Sequence, residues 1–266
     1  MSKQLILVSG LPRAGSTLLV NLLSQNPLVH GTATSGLHEI MYIAKGFFKT
    51  EEFRSIPNPK DGEQLFLDYH RAGLTHAFDN LTDRPVVADK CRSWIGSIGL
   101  ALQMFPDAKI LIPIRDIRGV LSSMEKKFQQ HPAFQMEMSQ QDTQMIQTVE
   151  GRVNFWLSRP PIGIAIERIH EIARLHKDKV HFVHFEKLSQ SPATTMQDVW
   201  TYLGMAQHEH DFENVAQYTH EHELGWPYGE HEIRSSVAPV KPDWNETLGY
   251  QLSEQINQKF AWVNQL

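Results

Sequence analysis

Cysteine is almost missing from this chain. Cys91 is the only one in 266 residues, so no internal disulfide and no multi-cysteine zinc site can form. Long hydrophobic runs are missing too. The most charge-sparse apolar stretch near the N-terminus is Leu5–Val8, far too short for a membrane helix or the apolar centre of a secretion signal. With neither feature, the expected location is the cytoplasm. Positive charge is not in excess: Lys plus Arg number 25 against 30 Asp plus Glu, a formal net charge of -5. That argues against a broadly basic nucleic-acid binder and leaves room for a local basic pocket around one small polyanion. Repeats, low-complexity tracts and long charge blocks are absent as well. What is present is ordinary for a globular protein, 41% hydrophobic and 21% charged, with enough length to bury a full core. No linker separates two units, so residues 1–266 read as one domain. Histidine, with 14 copies, is the count that stays open.

The chain starts with Gln4–Ser9, an apolar, β-branched run of the kind found in buried parallel strands. A glycine-punctuated turn, Gly10–Gly15, follows. From Ser16 to Gln25, Leu18, Leu19, Leu22 and Leu23 share a helical face, and Asn26-Pro27 should end that helix. Further strands are expected at Pro85–Asp89, Lys109–Arg115 and Lys179–Phe185. Pro113 argues that the Lys109–Arg115 strand stops early. Helices are expected at His38–Phe48, Glu63–Asn80, Ser93–Phe105, Asp116–Phe128 (with Asp116 as cap), Gln140–Lys177 broken at Pro160-Pro161, Pro192–Leu203 and Ser253–Leu266. Strands alternating with helices imply an α/β fold: a mostly parallel sheet flanked by helices on both faces.

Two motifs carry chemistry. Gly10-Leu-Pro-Arg-Ala-Gly15-Ser16-Thr17 has the frame of a phosphate loop between a strand and a helix. Glycines let backbone N–H groups converge on an anion, and the helix N-terminus adds partial positive charge. Ser16 stands where the nucleotide triphosphatase loop carries its lysine. The loop's cation is Arg13, inside the turn, which suits a shorter 5′ group better than a triphosphate. An ordinary Gly/Pro turn is the competing reading. The second motif is Arg115 at the end of a strand with Ser123 eight residues on, about two helical turns. Ligands gather at such strand ends in open α/β sheets, and Arg plus a hydroxyl can bracket one phosphate. Arg118 and Glu125, on the same helix, read as solvated charges.

Together the motifs resemble the sulfotransferases that use 3′-phosphoadenosine 5′-phosphosulfate, with a flavour closest to the tyrosylprotein and related bacterial branches. The three-layer fold of the P-loop NTPases would follow. The resemblance implies that Arg13, Ala14, Gly15, Ser16 and Thr17 hold the 5′-phosphosulfate, with Arg13 stabilising charge on the leaving oxygen. It implies that Arg115 and Ser123 hold the 3′-phosphate and that Lys127 assists. Phe185 falls near the adenine, and Ser235 and Lys241 fall where a late Ser and Lys reach the donor. The acceptor's proton needs a base, with Glu39 favoured over His38. Lys90, at a strand end, either faces the site or lies on the surface. No metal is required, and the acceptor would be a small molecule, a carbohydrate or a peptide. Two alternatives remain: a phosphoryl-transferring small-molecule kinase, and a non-catalytic nucleotide-binding module.

Among the histidines, His208-Glu-His210, His220-Glu-His222 and His231 lack the spacing of a zinc protease and read as solvated. Trp226-Pro-Tyr228-Gly229 and Trp244 suit either a lid or loop packing. His131–Phe134, with Met124, Met136, Met138 and Met145, suits either a flexible wall or core.

Overall fold

The computed structural model of the protein describes residues 3–47, 50–55, 59–130, 140–221 and 231–266. The readings placed on His131–Phe134, Met136, Met138, His222 and Trp226–Gly229 fall outside the described residues.

Five parallel strands form the centre: β1 (Gln4–Val8), β2 (Val29–Thr34), β3 (Val86–Lys90), β4 (Lys109–Ile114) and β5 (Val180–His184). Their order is β2-β3-β1-β4-β5. The fold is the three-layer, P-loop-like α/β arrangement expected. In β1 the side chains alternate between two cores. Leu5 and Leu7 enter one, Ile6 and Val8 the other, as the two-residue period of a strand requires. Both faces are covered, which is why the strand reads as a continuous apolar run. The first face is covered by helices that include Pro59–Leu81, Ile117–Gln130, Val149–Leu157 and Ile162–Leu175, and the second by Ser16–Ser24 and Pro192–Leu203.

Four of the strands lie where expected, within a residue or two. Two findings differ. β2 was not expected. It is an edge strand with the burial pattern of two half-buried positions for each buried one, so it lacks the alternation that marks a strand. Gly31 within it is forced, since a Cβ there would stand 2.3 Å from Ser24 Oγ. Pro113 also does not end β4, which runs through Ile114 in register with β5. The Pro113 carbonyl accepts from the Leu11 amide at 3.0 Å, beyond the end of β1. The missing N–H thus falls beside the turn at Gly10 rather than in a ladder.

Arg118 and Glu125 are not solvated. Asp116 caps the helix through the Arg118 amide at 2.9 Å, and the Arg118 side chain pairs with Asp116 and lies 4.5 Å over the Trp244 ring. Glu125 is fully buried and held by Arg152 through two bonds of 2.7 and 2.6 Å. No helix among the described residues is long and apolar enough to cross a membrane.

Candidate active site

Gly10 opens the phosphate loop where β1 ends. A Cβ on it would stand 2.2 Å from the Pro113 carbonyl oxygen, so only glycine lets the loop pass β4 this closely. Arg13 and Gly15 then take left-handed backbone, φ 61° and 80°. For an arginine that conformation costs of order 1–3 kcal/mol and persists only where surroundings enforce it. Here Arg115 donates from Nη1 to the Arg13 carbonyl at 3.0 Å. Gly15 lies against Phe185, whose ring is 2.7 Å from where a Cβ would be. The helix Ser16–Ser24 starts directly after, with no side chain capping it.

The two motifs, distant in sequence, meet. Arg13 Nε donates to Ser123 Oγ at 3.1 Å, and the Arg115 guanidinium lies 4.4 Å over the Phe185 ring. Arg13, Gly15, Ser16, Thr17, Arg115, Ser123 and Phe185 line one cavity of about 430 Å³, a size suited to a nucleotide-sized ligand. Ala14 is instead buried in the core beneath the loop.

The helix Ile117–Gln130 presents Gly119, Ser122, Ser123 and Lys126 to the cavity, the spacing of one helical face. Lys127 is turned off that face and does not line the cavity, while Lys126 does and pairs with Asp243. Near the C-terminus, Arg234, Ser236, Val240 and Asp243 line the cavity. Ser235 does not; its carbonyl accepts from the Val215 amide at 2.6 Å. Lys241 is exposed and off the lining.

His38 and Glu39 are not brought to the cavity. The His38 ring is buried edge-on against Trp94 at 4.7 Å, with Nε2 2.5 Å from Ser97 Oγ. Burial holds its pKa below the ordinary value, although Glu39 pulls it the other way. Glu39 is exposed and accepts from the Ser93 hydroxyl. With Cys91 these two bring potential ligand atoms within 4.8 Å of one another, but burial pushes the Cys91 thiol up to about 11, well away from a thiolate.

Lys90 does face the cavity. Its Nζ lies 3.3 Å from Thr17 Oγ1 and 2.5 Å from Glu221 Oε1. The same Glu221 oxygen accepts from the Thr34 amide and hydroxyl at 2.8 and 2.9 Å. Sequence reasoning missed Glu221, for the contact spans 131 residues and no local pattern marks it. It missed Asn21 as well. Fully buried, Asn21 donates to the Thr17 carbonyl at 2.8 Å and accepts from the Tyr218 amide at 2.5 Å. That pins the segment carrying Glu221 to the phosphate-loop helix. Arg92 was a third omission. It lines the cavity two residues past β3, and that strand-end position was its available signal.

The cavity is electropositive. Burial lowers the pKa of both Arg115 and Arg92, and the charge of Arg13 lowers each further, against Glu186 beside the first and Glu221 beside the second. A bound polyanion would relieve both effects.

Of the histidines read as solvated, His220 is exposed, whereas His208 and His210 pack. His210 lies flat on Trp200 at 5.8 Å and accepts from the indole N–H at 2.8 Å. His208 meets His210 edge-on at 5.1 Å.

A parallel sheet with a glycine-framed loop after β1 and a second cationic cluster at the end of β4 is an α/β fold of the P-loop-like type. Comparison with known families then narrows this: the sulfotransferase family profile matches residues 5–209, and the chain belongs to that family. It is therefore a transferase enzyme of the sulfotransfer class. Solved structures agree in fold. A sulfotransferase from Alicyclobacillus acidocaldarius has a TM-score of 0.54 at 14% identity, covering 99% of this chain and 95% of that one. Sulfotransferase STF9 from Mycobacterium avium gives 0.56 at 12%, covering 100% and 77%. Mouse sulfotransferase SULT7A1, complexed with PAP, gives 0.57 at 12%, covering 99% and 84%. A search of curated proteins gives no match. The kinase reading is not favoured.

Proposed function

We propose that this protein moves a sulfuryl group from 3′-phosphoadenosine 5′-phosphosulfate to a hydroxyl or amine acceptor by in-line displacement. The observation that carries the reading is the Arg13–Ser123 contact of 3.1 Å, which joins two anion cradles in one cavity. That spacing suits a donor with phosphate groups at both ends of one nucleoside. The PAP complex of the mouse sulfotransferase, similar in fold, supports the same donor. When bound, the donor supplies an activated sulfuryl group on a phosphate leaving group.

The chain's residues then have separate tasks. Gly15, Ser16 and Thr17 hold the 5′ end with backbone and hydroxyl donors at the start of a helix. Arg13 fixes a cation where negative charge develops, which is the largest usual catalytic contribution. Arg115 and Ser123 hold the 3′-phosphate, and Phe185, lacking a hydroxyl, offers only a face for the base to stack on. Lys126, rather than its neighbour Lys127, faces the donor on this reading, as do Arg234 and Ser236 beside Ser235 and Lys241. Protein cations do the work that magnesium does in phosphoryl transfer, so the scheme needs no metal. The acceptor is a small molecule, carbohydrate or peptide, and the setting is the cytoplasm. Residues 1–266 act as one domain, a reading supported by a core that contains both Leu5 and Val263.

Thermal unfolding with ligands tests this reading, because a ligand that binds only the folded chain raises the midpoint. Adenosine 3′,5′-bisphosphate should raise it clearly and ATP with magnesium should barely move it. The reverse ranking would sink the proposal.

A further inference from the structure

The Lys90–Glu221 pair is the feature that the reading above leaves unused. Both side chains are almost fully buried, 5% and 3% exposed; Lys90 and Thr34 line the cavity, and Glu221 stands against both of them. Lys90 stands between the carboxylate and Thr17 of the phosphate loop. An ion pair taken out of water is weak evidence for stability, so its presence beside the reacting groups asks for another purpose. Three groups converge on Glu221. Lys90 comes from the end of β3 and the Thr34 donors from the end of β2. Arg92 adds its charge from the turn after β3. Asn21 anchors the segment two and three residues before it.

We propose that Glu221 is the general base that takes the acceptor's proton, and that Lys90 gates it until the donor is bound. The inference rests on the donor assigned above. Without donor, Lys90 neutralises the carboxylate. An incoming sulfuryl group beside Thr17 offers Lys90 a second anion within reach, and the ammonium turns toward it. Glu221 is then left buried with the Thr34 donors and the more distant Arg92. The acceptor oxygen forms its bond to sulfur as the bond from sulfur to the 5′-phosphate oxygen breaks. The acceptor's proton passes to the Glu221 carboxylate, and adenosine 3′,5′-bisphosphate leaves with the electron pair of the broken bond. Basicity thus appears only when there is something to transfer.

The charge balance supports this order. Burial raises the Glu221 pKa, but the hydrogen bond and charge of Lys90, with the Thr34 donors, outweigh it and hold the group below its ordinary value. Removing Lys90 takes away the two largest of the influences that lower it, and the pKa rises.

The test uses the full chain and labelled 3′-phosphoadenosine 5′-phosphosulfate itself. Titration calorimetry at mildly acid pH, in two buffers of different ionisation enthalpy, reads proton uptake on donor binding. The wild-type chain should take up a proton. Glu221→Gln should bind the donor no more weakly, since Lys90 is freed, and should take up none. Transfer to any hydroxyl compound that the wild-type chain uses, water included, should fall roughly 10²–10⁴-fold in that variant. Glu221→Asp, which keeps the charge, should restore part of the rate and guards against a folding defect in the amide. Unchanged proton uptake or undiminished transfer in Glu221→Gln, with donor bound, overturns the base assignment alone. Failure of the wild-type chain to bind the donor overturns the donor reading and this proposal with it.

Discussion

Arg13 has two properties that are separable by substitution. Its cation sits in the cavity beside Ser123, and its backbone is held left-handed at φ 61°. Strain of this kind collects at functional sites because selection keeps the side chain despite the backbone cost. Glycine tolerates the same φ freely. Arg13→Gly is therefore expected to unfold at the same temperature as the parent or slightly above it. Turnover should fall by roughly 10²–10³-fold, as when one preorganised oxyanion donor is lost. Paired melting curves and rates check this. A variant that is both stable and active would remove Arg13 from the mechanism, and one that is unstable would remove the strain from its backbone. Glu39 and His38 illustrate the opposite case. Their residue types were right for a base, yet one is exposed on Ser93 and the other is packed on Trp94. Residue type without position left that assignment open.

At the scale of elements, the loop works because two strands end at different heights. β1 stops at Val8 while β4 continues to Ile114, so the turn from Gly10 crosses the end of β4 at Pro113. Gly10→Ala would place a methyl group 2.2 Å from backbone oxygen, which cannot rotate away. Overpacking costs typically about 1–3 kcal/mol. The expected result is a lower denaturation midpoint together with weakened binding of adenosine 3′,5′-bisphosphate, because the loop must shift as a unit. Equal binding in a destabilised variant would show that the loop geometry does not depend on this crossing. Much of this element was legible in the sequence, since a β-branched run, a glycine frame and a leucine face each have a local period. β2 was not, because an edge strand with Gly31 at a crowded contact has no alternation to read. Pro113 misled because the rule against proline in strands concerns ladder donors, and here the donor side faces a turn. The same limit applies to Glu125 and Arg152. Each reads locally as a surface charge, and only the packing of two helices makes them a buried pair.

Across the whole molecule, charge is arranged by depth rather than by total. A net charge of -5 coexists with a cavity where burial and the charge of Arg13 lower the proton affinity of Arg92 and Arg115. The sequence disclosed Arg13 in the loop and Arg115 at a strand end, because both positions are recognisable, but not Arg92. It did not disclose Glu221 or Asn21, whose contacts span 131 and 197 residues of the chain. The histidines complete the picture, and they make acid sensitivity a property of packing. Burial, then the neighbouring His208, lowers the His210 pKa from its ordinary 6.5 to about 4. The cause is visible in the geometry. Nε2 accepts from the Trp200 indole at 2.8 Å and Nδ1 faces Gln25 Oε1 at 3.1 Å, so only the neutral ring fits. His184 is lowered to about 4 as well, by burial, then Lys187 and His181. For such groups the unfolded chain binds protons that the folded chain excludes, so stability is complete above about pH 6.5 and declines as pH falls toward 4. Asp116 also sits below its ordinary 3.8, because the Arg118 and Asn264 bonds outweigh the opposing effect of burial. Its contribution is lost only at still lower pH. Denaturant titrations should therefore show a decline that begins near pH 6.5, well above the range in which Asp116 titrates. His210→Gln keeps an acceptor for the indole and has no proton to gain, so the decline over that window should be shallower, with His184 and the other lowered histidines, His30, His38 and His181, supplying what is left. Parallel slopes in variant and parent would mean that the His210 ring ionises freely in the folded chain and that its stacking on Trp200 does not require the neutral form.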